Sequence, residues 1–109
     1  MKGKVMKRGE VWWAVLPKPI GYRPVVLLSR DEAYKVRSAV TVAEITTNIR
    51  DIPVEVQLGR EDGLPKKCVA NADTIITIRK TLLQERICQL SQEKVVAIDK
   101  AIKFALALD

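Results

Sequence analysis

GYRPVVLLS, residues 21–29, sets an arginine and a proline at the mouth of an apolar run. Val25 to Leu28 have the composition of a strand that belongs in a core. Arg23 keeps its charge at every physiological pH, so at such a place it must be paired, face solvent or line a pocket. Pro24 has no N–H to give to a ladder and belongs at the start of the strand or on an edge. Upstream, EVWWAVL (residues 10–16) is rich in aromatic and β-branched residues and reads as a first strand. PKPIG ends it, because two prolines and a glycine forbid a regular ladder.

Downstream, RDEAYKV predicts one short helical turn and SAVTVAEITT a third strand. IPVEVQL alternates, with Ile52, Val54, Val56 and Leu58 against Pro53, Glu55 and Gln57, as a half-exposed strand does. GREDGLPKK is a turn-rich loop. CVANADTIITI supplies one long or two short strands, and RKTLLQ a helical turn before a last strand, ERICQL. The C-terminal segment changes period: Val95, Ile98, Ile102 and Ala105/Leu106 form a stripe at helical spacing, with Ser91 as N-cap and Glu93 in the first turn. About five to seven short strands and a closing helix predict a mostly-β fold, a small bent barrel or sandwich with one helix packed on it.

The chain has 109 residues, read as a single domain over 1–109, and its 48% hydrophobic content with both charge signs argues for a packed core. A formal charge of +6 favours nucleic acid or an acidic polypeptide as partner over a merely basic surface. Histidine is absent, which removes ordinary zinc sites and any Ser-His-Asp arrangement. Cys68 and Cys88, without CxxC spacing, read as free thiols of a cytoplasmic protein. No apolar stretch approaches the ~20 residues that span a membrane. No phosphate-cradling glycine motif is present, and no cofactor or metal is expected.

Two stretches go beyond composition. Arg23 precedes a core strand, and EITTNIR (residues 44–50) ends another with two hydroxyls and an amide, groups suited to a ligand. On a regular strand Glu44 and Thr46 share one face, Ile45 and Thr47 the other. Each has a plain structural explanation: a salt bridge for Arg23, strand propensity for the threonines.

In order, RGEVWWAVL, GYRPVVLLS, VAEITTNI, ADTIITI and the helix ending AIKFALAL resemble the MazF/PemK/Kid toxins, from about Lys7 to Leu108. The resemblance implies an SH3-like barrel of the CcdB/Kid/MazF type with a C-terminal helix, working as a homodimer. It implies a ribosome-independent, sequence-specific endoribonuclease that cleaves single-stranded mRNA without a metal, held in check by a cognate acidic antitoxin. The family's catalytic arginine falls on Arg23 and its catalytic threonine on Thr46. Glu44, Thr47 and Asp73 are expected to support the site, with Glu44 and Asp73 the candidate bases. RNA contacts are expected from Trp12, Tyr22, Lys18, Asn48, Thr74 and Lys80. Trp13 is a further candidate for stacking, and one of the two adjacent tryptophans must be core. Lys2, Lys4, Lys7, Arg8, Lys66, Lys67 and Arg79 are candidate phosphate contacts. Many members carry a longer loop between the first two strands, which is PKPIG here; Val15 replaces a frequent aspartate and Thr74 a frequent glutamine. Two alternatives stand beside the nuclease: a CcdB-like toxin that inhibits gyrase without cutting, and a degenerate member that only binds its antitoxin. A CcdB-like tail usually ends in aromatic residues, and this one ends ALALD.

Overall fold

The computed structural model describes residues 5–109. Lys2 and Lys4, two of the candidate phosphate contacts, lie outside them. The elements run β1 (Glu10–Leu16), β2 (Gly21–Leu27), α1 (Ala33–Val36), β3 (Ala39–Thr46), β4 (Glu55–Leu58), β5 (Cys68–Arg79), β6 (Leu83–Gln89) and α2 (Gln92–Ala105). Six strands form one curled antiparallel sheet in the order β4-β5-β3-β2-β1-β6. The stretch 68–79 is one long strand, and RKTLLQ supplies a 3₁₀ turn, Lys80–Leu82, before β6.

The central strands are buried on both faces, because alternate residues feed two separate cores. Val11, Val26, Ala43 and Ile45 join Leu58, Ala70 and the helix residues Ile98 and Ala101 in one. Trp12, Val25, Leu27 and Val42 join Tyr34, Ile78 and Leu83 in the other. Ser91 caps α2, its hydroxyl accepting from the Lys94 N–H at 3.2 Å, and the Lys94 ammonium reaches the Gln57 carbonyl at 2.6 Å to tie the helix to β4. The helical stripe holds as far as Ala105. Leu106 lies beyond the last helical residue and is exposed, so it does not extend the buried face. Pro24 is neither first in its strand nor on a true edge. It faces Trp13 of β1 from within β2, at the point where the β2–β3 pairing stops.

One buried carboxylate fastens the entrance of β1. Glu10 is 6% exposed and accepts from the Lys7 N–H (3.1 Å), the Trp12 indole N–H (2.9 Å) and Arg86 (3.0 Å). Both carboxylate oxygens are thus hydrogen-bonded, as burial of an ionised group requires.

Gly63 closes the 3₁₀ turn Arg60–Asp62 with φ of 103°, and an added Cβ would sit 2.6 Å from the Cys88 Cβ of β6. Gly63→Ala therefore meets both a left-handed backbone and a close packing partner. We expect a loss of roughly 2–4 kcal/mol, read as a lower urea midpoint at unchanged slope.

Candidate active site

The β2–β3 register pairs Val25 with Glu44 and Val26 with Ala43. Carried two residues further, it sets Arg23 against Thr46 at the mouths of both strands. The alternation of each strand then builds two recesses around that pair, one on each face of the sheet.

The first recess, about 210 Å³, is apolar and aromatic: Trp13, Tyr22 and Pro24 line it with Ile45, Thr47 and Arg23. Leu64, Pro65, Lys66 and Cys68 close it from the loop before β5. Trp13 and Tyr22 are stacked, ring centroids 4.9 Å apart and planes within 5°, and Tyr22 is 58% exposed. Their backbones are diagonal neighbours, since Trp13 faces Pro24 and Val15 faces Tyr22.

The second recess, about 150 Å³, is polar. Arg23, Glu44 and Thr46 form one side, Asn48 and Arg50 the rim, and Asn71 and Thr74 the wall. Glu44 is buried, and its carboxylate lies 3.7 Å from the Arg23 guanidinium. The Thr46 hydroxyl accepts from the Asn48 N–H at 3.1 Å, which turns the chain at the end of β3. The wall comes from an irregularity in β5. Ala43 faces Ile75 and Ile45 faces Ala70, so four residues of β5 stand opposite Glu44 alone. Such a bulge redirects side chains.

Tyr22, Arg23, Glu44, Thr46, Thr47, Asn48 and Thr74 are therefore gathered as the sequence leads one to expect. Four candidates are not. Trp12 is 4% exposed in the second core, its indole bonded to Glu10; its neighbour Trp13 points the other way and is the tryptophan of the site. Asp73 is exposed on the bulge and lines neither recess, which leaves Glu44 as the carboxylate beside Arg23. Lys80 is drawn to the Tyr34 carbonyl at 2.7 Å, and Lys18 lies in the β1–β2 turn. Arg8 is engaged by the Leu28 carbonyl and Asp99, whereas Lys66 does reach the aromatic recess. Arg50 and Asn71 carry no signal in the sequence, because only the bulge and the loop after β3 bring them in.

The model of the PemK-like, MazF-like toxins of type II toxin–antitoxin systems matches residues 7–106. The chain belongs to this family. It is 37% identical over 100 residues to a probable endoribonuclease, MazF5, of Mycobacterium tuberculosis, covering 91% of each chain. The structure of the M. tuberculosis toxin MazF-mt6 superimposes with a TM-score of 0.85 at 32% identity, over 92% of this chain and 98% of that one. A mycobacterial endoribonuclease in complex with its cognate antitoxin gives 0.84 at 28% identity, over 95% and 97%. Of these three relatives two are named endoribonucleases and one a toxin, and one of the endoribonucleases is held by an antitoxin. Among the described residues no helix is long and apolar enough to cross a membrane.

Both cysteines are free. Burial pushes the Cys68 thiol up, with Asp62 and Cys88 adding to it; burial also raises Cys88, against the opposing pull of Arg86. Above the ordinary value of 9.0 the unfolded thiols ionise first while the folded ones keep their protons. Stability is thus lost as pH rises beyond it. Urea midpoints between pH 8 and 10 should fall more steeply for the native chain than for Cys68→Ala/Cys88→Ala.

Proposed function

We propose that the chain is a sequence-specific, ribosome-independent endoribonuclease that cleaves single-stranded RNA without a metal, acting as a cytoplasmic homodimer. The observation that carries this reading is the meeting of Arg23, Thr46 and Glu44 between an aromatic recess and a polar one. A phosphodiester laid across the pair would have one flanking base on the Trp13–Tyr22 stack and the other in the polar recess. Stacking of that kind is worth ~1–3 kcal/mol per base.

RNA brings its own nucleophile. The 2′-oxygen attacks phosphorus as its proton passes to the Glu44 carboxylate. The P–O5′ bond breaks, and the 5′-oxygen takes a proton from solvent, leaving a 2′,3′-cyclic phosphate and a 5′-hydroxyl. Arg23 donates two parallel N–H groups to the phosphate oxygens as charge grows on them, which a lysine cannot do. Its guanidinium is far too basic to serve as an efficient general acid, so its role is electrostatic. The Thr46 hydroxyl orients the phosphate. One carboxylate at the site offers a poor cradle for a divalent ion, which favours a metal-independent route.

The partner of the resting state is a small antitoxin with an acidic segment. A protein of charge +6 attracts carboxylates as it attracts phosphates, and such a segment would cover Arg23.

The test is incubation of the purified protein with a long RNA in EDTA, followed by mapping of the 5′ ends. Cleavage should persist in EDTA. Arg23→Lys should lower kcat/KM roughly 100- to 1,000-fold, and Glu44→Gln about 100- to 10,000-fold with partial recovery in Glu44→Asp, each with unchanged circular dichroism. Complete inhibition by EDTA, reversed by magnesium, would overturn the metal-independent reading. Full activity in Arg23→Lys would overturn the assignment of that residue.

A further inference from the structure

The polar recess holds more than the reaction at Arg23 and Thr46 uses. Arg50 stands on its exposed rim, and among the described residues no side chain pairs with its guanidinium. The loop beneath is fastened. The Glu55 carboxylate accepts from the Arg50 N–H at 3.0 and 3.2 Å and from the Asp51 N–H at 2.8 Å, and Asp51 takes a positive φ of 59°. On the facing wall the Asn71 side-chain oxygen accepts from the Asp73 N–H at 2.8 Å, which pins the β5 bulge and leaves the amide nitrogen to donate. Rim and wall therefore present, beside the Asn48 amide, a row of donors on a fixed backbone: the Arg50 guanidinium fork and the Asn71 amide N–H₂.

A nucleobase edge meets that row without conflict only if it presents adjacent acceptors. Guanine does so through O6 and N7, which match a guanidinium in two bonds. Cytosine does so through O2 and N3 of the Watson–Crick edge that an unpaired strand exposes, whereas adenine sets its N6 donor beside both N7 and N1, and uracil sets its N3–H between O2 and O4. Donor facing donor in a confined site is costly. We propose that the polar recess selects guanine or cytosine over adenine and uracil at one nucleotide flanking the scissile phosphate, with Arg50 donating to O6 and N7 of guanine or to O2 and N3 of cytosine and Asn71 supporting the same edge. This rests on the nuclease reading above and adds to it the residue that reads sequence.

Two measurements test it. A random-sequence RNA is digested by the native chain, Arg50→Ala, Arg50→Lys and Asn71→Ala, and the new ends are sequenced. Separately, binding is measured to fully 2′-O-methylated oligouridylates carrying a single central G, C or A, which resist cleavage by this route. Native cut sites should carry G or C at one flanking position. The G-over-A ratio, in cutting and in binding, should fall about 5- to 150-fold in Arg50→Ala. Arg50→Lys should lose it equally, since it keeps the charge and not the fork, and Asn71→Ala should lose part of it. A native profile without a preference for G or C at either flank overturns the proposal. So does an Arg50→Ala chain that binds all sequences more weakly by one common factor, the mark of a plain phosphate contact. Preferential binding of the G or the C oligomer with no cutting of any RNA would refute the nuclease reading and leave the recess as a reader of that base.

Discussion

The register of β2 on β3 is the constraint on which the rest of the molecule depends. Val25 opposite Glu44 sets Arg23 facing Thr46, and it also sorts Val26 and Ala43 into one core and Val25, Leu27 and Val42 into the other. A slip of one residue would exchange every face at once. Arg23 would leave Thr46 and Glu44, and two cores would be spoiled rather than one. Burial on both faces is what makes the site exact without any ligand to hold it.

The same alternation separates two kinds of chemistry across a single sheet. Odd and even residues at the mouths of β2 and β3 supply an aromatic surface on one side and charged or amide groups on the other, with Arg23 and Thr46 bordering both. Glu44 binds this arrangement to the fold, because a buried carboxylate needs the positive charge beside it. Arg23 is therefore a member of the structure as well as of the proposed reaction. The charge at the entrance of an apolar strand is explained by both.

Most of the architecture was legible along the chain. Period-two runs located the strands, and the change to helical spacing with Ser91 in front located α2, because burial imposes those periods directly. The Arg23–Thr46 pair was legible through the ordered motifs around it. Other assignments needed pairing that no linear pattern records. Adjacent tryptophans point to opposite faces, and only the two-core sorting tells that Trp12 is inside and Trp13 at the site. Lys80 looks like any surface lysine until its ammonium is seen on the Tyr34 carbonyl. Asn71 was silent because the β5 bulge has no glycine or proline to announce it and arises from how β5 is shared between β3 and β4, and Arg50 because only the loop after β3 carries it to the recess.

The parallel stack of Trp13 and Tyr22 has an entropic consequence. An exposed tyrosine that moved freely would have to be immobilised by whatever flat ring settled on it, and that ordering would be subtracted from the binding free energy. Here Trp13 restrains it beforehand, and Trp13 is itself held against Pro24 on the neighbouring strand. An arriving base would complete a column of rings whose lower two layers are already in place. Its own stacking would appear almost undiminished as affinity, and it would meet a surface whose orientation is fixed relative to the guanidinium one residue along the strand.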